Sequence, residues 1–126
     1  MHAKTLMGLL FLAVSVSPAI ADDAEKGEQV FRKCRVCHQV GDSAKNTVGP
    51  QLNDIIGRHA GTIEGFNYSA AMKTAGEEGL VWNEENLMKY LKNPREFLPK
   101  NKMAFAGLKD DDDRKDVIAY LKKFSK

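Results

Sequence analysis

FRKCRVCHQV, residues 31–40, holds both cysteines of the 126-residue chain, Cys34 and Cys37, with His38 directly after the second. Three side chains that can bond to metal or carbon sit within five residues, and each reading of them leads to a different fold. A disulfide across two intervening residues closes a tiny loop and constrains little of the unfolded chain. Half of a structural zinc site needs partners, and His59 alone leaves a four-ligand shell one short. A thioredoxin-like redox pair belongs in a βαβ setting, and no strand pattern precedes Cys34. C-x-x-C-H is also the attachment signal for a c-type haem. Two thiols on adjacent turns can each add to one vinyl group of the porphyrin, and the residue after them is then held under the iron as a nitrogen ligand.

The first 21 residues, MHAKTLMGLLFLAVSVSPAIA, favour that reading. One lysine, an apolar run from Leu6 to Val16 and small residues at Ala19 and Ala21 form the pattern of a cleaved secretory signal peptide. The run is too short for a bilayer-spanning helix, which needs roughly 20 apolar residues. Export places the cysteines outside the reducing cytosol, in the periplasm, and cleavage leaves residues 22–126 as one domain. A domain of that size makes only a modest core, so a large apolar cofactor would contribute to folding. Loss of Lys4 with the leader lowers the formal charge from +2 to +1. Neither that balance nor any basic run with interleaved aromatics points to nucleic acid.

Working outward from the cysteines, DDAEKGEQVFRKC starts with Asp22 or Asp23 as a helix cap, with Glu25 in capping-box register. Apolar and small residues at Ala24, Gly27, Val30, Phe31 and Cys34 predict a helix over about 24–35. Residues 39–68 hold five glycines, one proline and no sustained period. So long a loop needs something to wrap around. SAAMKTAG predicts a short helix capped by Ser69, with Gly76 just past its end. NEENLMKYLKNP predicts another, from Asn83 to a stop before Pro94. DDDDRKDVIAYLKKF has acids at its start and lysines at its end, with Val117, Ile118, Leu121 and Phe124 as its buried stripe. No segment alternates like a strand. The expected fold class is all-α, with four to five helices and long connections.

If haem is bound, its iron has a second axial position, for which the chain offers His59, Met72, Met88 and Met103. Met88 and Met72 lie on helices, where methionine usually fills core gaps. His59 lies in polar, glycine-flanked GRHAG. Met103 lies in PKNKMAFAGL, an irregular stretch with no helical stripe to fill, and position favours it as a thioether ligand.

Nearly all of the expected domain resembles the class I cytochromes c, in particular the bacterial cytochrome c2 type that is similar to mitochondrial cytochrome c. GEQVFRKCRVCHQV, VGPQL, GRHAG, GFNYSAAM, WNEENLMKYLKNPREFLPKNKMAFAGL and DVIAYLKK carry the resemblance in fixed order. It implies the cytochrome c fold wrapped around one haem c, with thioether bonds from Cys34 and Cys37, His38 as proximal ligand and Met103 as distal ligand. It further implies that the Pro50 carbonyl orients His38, that Arg58, Tyr68 and Trp82 hold a buried propionate, that Tyr90 lies near the ligand sulfur, and that Phe105 covers the haem edge. Gly27, Phe31 and Tyr120 correspond to the close crossing of the first and last helices. This chain departs from the mitochondrial pattern at Met72, where that pattern has asparagine, and at Lys100 and Asn101, where it has Gly-Thr. It is also three residues longer between Tyr68 and Trp82, and Asp110 to Asp113 replace a lysine-rich stretch.

With both axial positions filled, the iron is closed to substrates. The expectation is a monomeric, non-enzymatic carrier of single electrons between membrane complexes, from a cytochrome bc1-like donor to an oxidase or reaction-centre acceptor. Docking would be transient and electrostatic, using Lys33, Lys45, Lys92, Lys100 and Lys102, with Lys109 less suited beside the acidic run. A labile Met103 bond would instead give a peroxidase-like or gas-binding haem protein, and a haem subunit dedicated to one dehydrogenase is a third possibility.

Overall fold

A computed structural model of the chain describes residues 2–3, 5, 7–14 and 22–126; Ala19 and Ala21 of the expected cleavage pattern lie outside the described residues. Five helices appear among them: α1 (Ala24–Phe31), α2 (Ala70–Glu77), α3 (Glu84–Lys92), α4 (Pro94–Phe97) and α5 (Asp111–Lys122). The only β pairing among the described residues is an isolated bridge between His59 and Val81. None of the helices is long and apolar enough to cross a membrane.

The cap of α1 is Asp23, whose carboxylate accepts the N–H groups of Glu25 and Lys26. That sets Glu25 out of capping-box register. The Asp23 N–H instead donates to the Asp116 carboxylate on α5, 2.9 Å away, tying the first helix to the last at its origin. The helix is also shorter than its apolar period predicts. Past Phe31 the N–H groups of Arg32, Lys33 and Cys34 reach carbonyls three residues back, at 3.3, 3.1 and 2.8 Å. This tightening replaces the last helical turn with a run of close turns that carries both thiols.

Helices α1 and α5 cross at Gly27, where a Cβ would stand 1.9 Å from the Asp116 carbonyl oxygen. The crossing buries Phe31 to 1% exposure against Tyr120, ring centroids 5.3 Å apart. Val117, Ile118, Tyr120 and Leu121 form the buried face of α5, with Phe124 half-buried just beyond its end. Arg114 on that face is only 3% exposed. Its guanidinium donates to the Met88 carbonyl on α3 and pairs with Asp111, while its Nε has no partner. Asp110 caps α5, accepting from the N–H groups of Asp112 and Asp113. Two of the four aspartates therefore have local structural roles.

Gly76 lies inside α2 rather than past its end. A Cβ there would meet the Ala60 carbonyl oxygen at 1.8 Å, so this glycine lets the helix lie against the preceding loop. The chain turns out of the helix at Gly79, which has the positive φ expected of a terminating glycine. Asn93 ends α3 and caps α4, with buried Pro94 as the first residue of the short helix. The apolar periods do not reveal α4 because one turn is too short to display a period.

Candidate functional site

The tight turns after α1 place the thiols. The N–H groups of Cys37 and His38 both donate to the Cys34 carbonyl, at 3.0 and 2.9 Å. Both cysteines are half-buried and free. Burial pushes the Cys34 thiol up to about 11, against a smaller opposing influence from Lys33. The thiol is thus protonated at neutral pH, and no disulfide joins it to Cys37.

His38 is held from the side of residues 47–50. Its Nδ1 lies 2.7 Å from the Pro50 carbonyl oxygen. A carbonyl only accepts, so Nδ1 carries the proton and Nε2 keeps its lone pair. Burial lowers the imidazole pKa, partly offset by that carbonyl, and the ring is neutral at pH 7. Gly49 makes the arrangement possible, since a Cβ there would press on the ring at 2.5 Å. Thr47 and Gly49 both donate to the Cys37 carbonyl, at 2.9 Å each, and fasten this segment to the attachment turn.

Met103 is placed by α3 and the chain after α4. The Tyr90 hydroxyl of α3 donates to its sulfur at 3.8 Å. Burial raises the Tyr90 phenol well above its ordinary range, so it remains a donor. Tyr90 packs on buried Trp82 with ring centroids 4.7 Å apart, and the Trp82 backbone N–H donates to the Arg58 carbonyl at 2.8 Å. Tyr68 is half-buried, accepts from the Ile63 N–H at 3.0 Å, and has its phenol raised by burial while Arg58 opposes the shift. Phe105 is half-buried, and its N–H donates to the Met103 carbonyl at 3.0 Å.

The site residues thus fall into two assemblies. Cys34, Cys37, His38 and Pro50 form one, and Arg58, Trp82, Tyr90, Met103 and Phe105 form the other, with Tyr68 beside Arg58. Half-buried Cys34, Leu52, Leu91, Leu98, Met103 and Phe105 pack against the same apolar core. Of the other candidates for the second axial position, Met72 and Met88 pack half-buried on that core, whereas His59 is exposed and paired with Val81. Asn101 figures in the sequence only as a departure from the mitochondrial pattern, and its local role is not legible there. Its side chain makes three hydrogen bonds around Met103. The available signal was an asparagine two residues before the candidate ligand in a helix-free stretch.

A neutral imidazole with a free Nε2, two free half-buried thiols on close turns and a fixed thioether suit a covalently bound haem. The chain belongs to the cytochrome c family, whose model matches residues 24–125, and its cofactor is one covalently attached haem c. Within the family it is similar to cytochrome c2 of Blastochloris viridis, 52% identical over 97% of this chain and 94% of that one. Cytochrome c2 of Afifella marina is 56% identical over 78% of this chain and 79% of its own. Among solved structures, cytochrome c2 from Rhodospirillum centenum superposes with a TM-score of 0.79 at 50% identity, covering 82% of this chain and 99% of that one. Ferricytochrome c2 from Rhodopseudomonas palustris gives 0.74 at 41% identity, covering 82% and 99%. These relatives make the class of the protein a monohaem electron carrier.

Proposed function

We propose that the protein is a soluble, monomeric periplasmic shuttle, exported by cleavage after residue 21, and that residues 22–126 act as one domain. It takes single electrons from a cytochrome bc1-like donor to an oxidase or photosynthetic reaction centre, and catalyses no turnover of its own. Cys34 and Cys37 hold the haem, which supplies the one-electron couple when bound, and His38 and Met103 are its axial ligands. Arg58, Tyr68 and Trp82 serve the buried propionate, which needs polar partners away from water. Phe105 covers the ring edge.

The observation that carries this reading is the fixed Met103 thioether. The sulfur is held by the Tyr90 hydroxyl at 3.8 Å, and as distal ligand it would take the place an oxidant or gas would need. The hydrogen bond draws electron density from the sulfur, which favours the reduced iron. Tyr90→Phe is therefore expected to lower the reduction potential by on the order of tens of millivolts. Spectroelectrochemical titration checks this.

For docking, Lys33, Lys45, Lys92, Lys100 and Lys102 are all exposed. The Lys102 ammonium is tethered to the Asn67 carbonyl at 2.8 Å, and that of Lys109 to the Lys92 carbonyl at 3.0 Å. Lys33 and Lys45 flank two valines that are far more exposed than large apolar residues normally are, Val36 at 81% and Val48 at 77%. The segment bearing Val48 is bonded to the Cys37 carbonyl, one residue from Val36, so the two lie near the attachment turn. In this reading the lysines speed encounter and the valines give a short-lived apolar contact.

Stopped-flow electron transfer from a purified bc1-type complex tests the reading. The rate is expected to fall several-fold from low to physiological salt, because screening over a Debye length of about 8 Å weakens the attraction. Lys33→Glu should lower the low-salt rate and flatten that dependence. A rate independent of salt would overturn the lysine face.

A further inference from the structure

We infer that Asn101 is a positioning residue for the axial ligand: its side-chain amide clamps the Met103 segment to helix α4 and so keeps the thioether on the iron. The inference rests on the reading of Met103 as the distal ligand. Both polar atoms of this amide are engaged. Nδ2 donates to the carbonyls of Pro94, at 3.0 Å, and Leu98, at 2.7 Å. Oδ1 accepts the backbone N–H of Met103 itself at 2.8 Å.

Local structure creates the need for this clamp. With only four residues, α4 is closed by single backbone bonds, from the Leu98 N–H to the Pro94 carbonyl at 3.0 Å and from the Asn101 N–H to the Leu98 carbonyl at 3.3 Å. The chain reverses there through Lys100, a non-glycine residue with φ of 66°, before it reaches the ligand. A flexible strand would leave Met103 free to swing away. Asparagine adds a second donor to each of these carbonyls with its two N–H groups and still has an acceptor for the ligand's own amide. Aspartate has no N–H to give, threonine has a single hydroxyl proton, and glutamine carries an extra methylene.

The clamp ends on α4, which follows directly on the helix that holds the sulfur. Asn93 joins α3 to α4, Pro94 is buried, and Tyr90 of α3 donates to Met103. On the far side, Leu108 N–H donates to the Leu91 carbonyl at 2.7 Å, fixing the exit of the segment to the same helix. Met103 is therefore braced from α4 at its entry and from α3 at its sulfur and its exit. Of the three braces, only Asn101 bonds the ligand residue's own backbone.

Imidazole titration of the haem-loaded ferric protein tests this. Imidazole binds only when the thioether leaves, so its apparent affinity rises in proportion to the open fraction. Asn101→Leu removes all three bonds, and Asn101→Asp turns two donors into an acceptor facing two carbonyls. Each is expected to tighten imidazole binding about tenfold, with a fall in potential, as loss of one or more net hydrogen bonds requires. Asn53 supplies the control, because it makes a similar clasp to Gly41, donating at 2.8 Å and accepting at 2.9 Å, in a different loop. Asn53→Asp should change imidazole affinity by no more than about twofold.

Unchanged affinity in both Asn101 variants, or equal tightening in Asn53→Asp, would overturn the assignment. Should the Asn101 variants fail to fold with haem, hydrogen exchange in the unaltered ferrous protein decides: a slowly exchanging Met103 amide supports the clamp, and a freely exchanging one overturns it. Absence of the far-red band from the unaltered ferric protein would instead overturn the ligand reading beneath the inference.

Discussion

Met103→Ala is expected to abolish the weak far-red absorption band of the ferric protein and to lower its reduction potential by on the order of 0.2 V, a sizeable part of the roughly 0.8 V range that axial ligands command. The thioether favours reduced iron relative to a nitrogen or water ligand, so its removal moves the couple downward. The same substitution opens the distal position and should allow carbon monoxide to bind the ferrous form. Burial of the core should survive, because Met103 is only half-buried at the margin of the cluster formed by Trp82, Leu87, Tyr90 and Leu108. Spectrum and potential should therefore change far more than the circular dichroism of the helices. A variant that keeps the band and the potential would show that another side chain occupies the site.

Gly27→Ala is expected to be among the most damaging single-methyl changes in the domain. The added Cβ would lie 1.9 Å from the Asp116 carbonyl oxygen and 2.6 Å from its carbon. Both are backbone atoms inside α5 and cannot rotate away, so the two helices must separate. Separation weakens the Phe31 to Tyr120 contact, at 5.3 Å, and the 2.9 Å bond from Asp23 to Asp116. Overpacking combined with lost contacts should cost about 3 kcal/mol or more. For a domain near 100 residues that corresponds to a fall in Tm of more than about 10 °C. Thermal unfolding of the haem-loaded protein measures it, and a fall of only a degree or two would mean that the crossing is looser than the structure describes.

The chemistry of the site was more legible in the sequence than the devices that hold it. C-x-x-C-H states its chemistry in adjacent letters, and Met103 stood out because nothing helical required it. Repeating patterns likewise marked α3 and α5, whose caps Asn83 and Asp110 fall beside their apolar stripes. The features that escaped depend on contacts between distant segments. The end of α1 is set by three-residue turns at Cys34, and no period in the sequence reports where i to i+4 bonding gives way. Gly76 suggests a helix end by residue type, yet its position is fixed by the Ala60 carbonyl sixteen residues earlier. Arg114 reads as one more surface charge until the Met88 carbonyl of α3 is placed against it. Asn101 stands at a departure from the mitochondrial pattern, and its role becomes visible only when Pro94, Leu98 and Met103 come together around one amide.

The supports around the site serve one end. Tight turns fix the thiols, Pro50 and Gly49 fix the His38 ring, and α3 with Asn101 fixes Met103. On the proposed reading, a site held this firmly suits transfer of an electron, which asks for little movement, and would exclude ligands that need an open iron. Exposure of the ferrous haem-loaded protein to carbon monoxide at neutral pH tests this most directly. The account predicts an unchanged absorption spectrum, with the far-red band present on reoxidation; a spectral shift to a carbon monoxide adduct would contradict it.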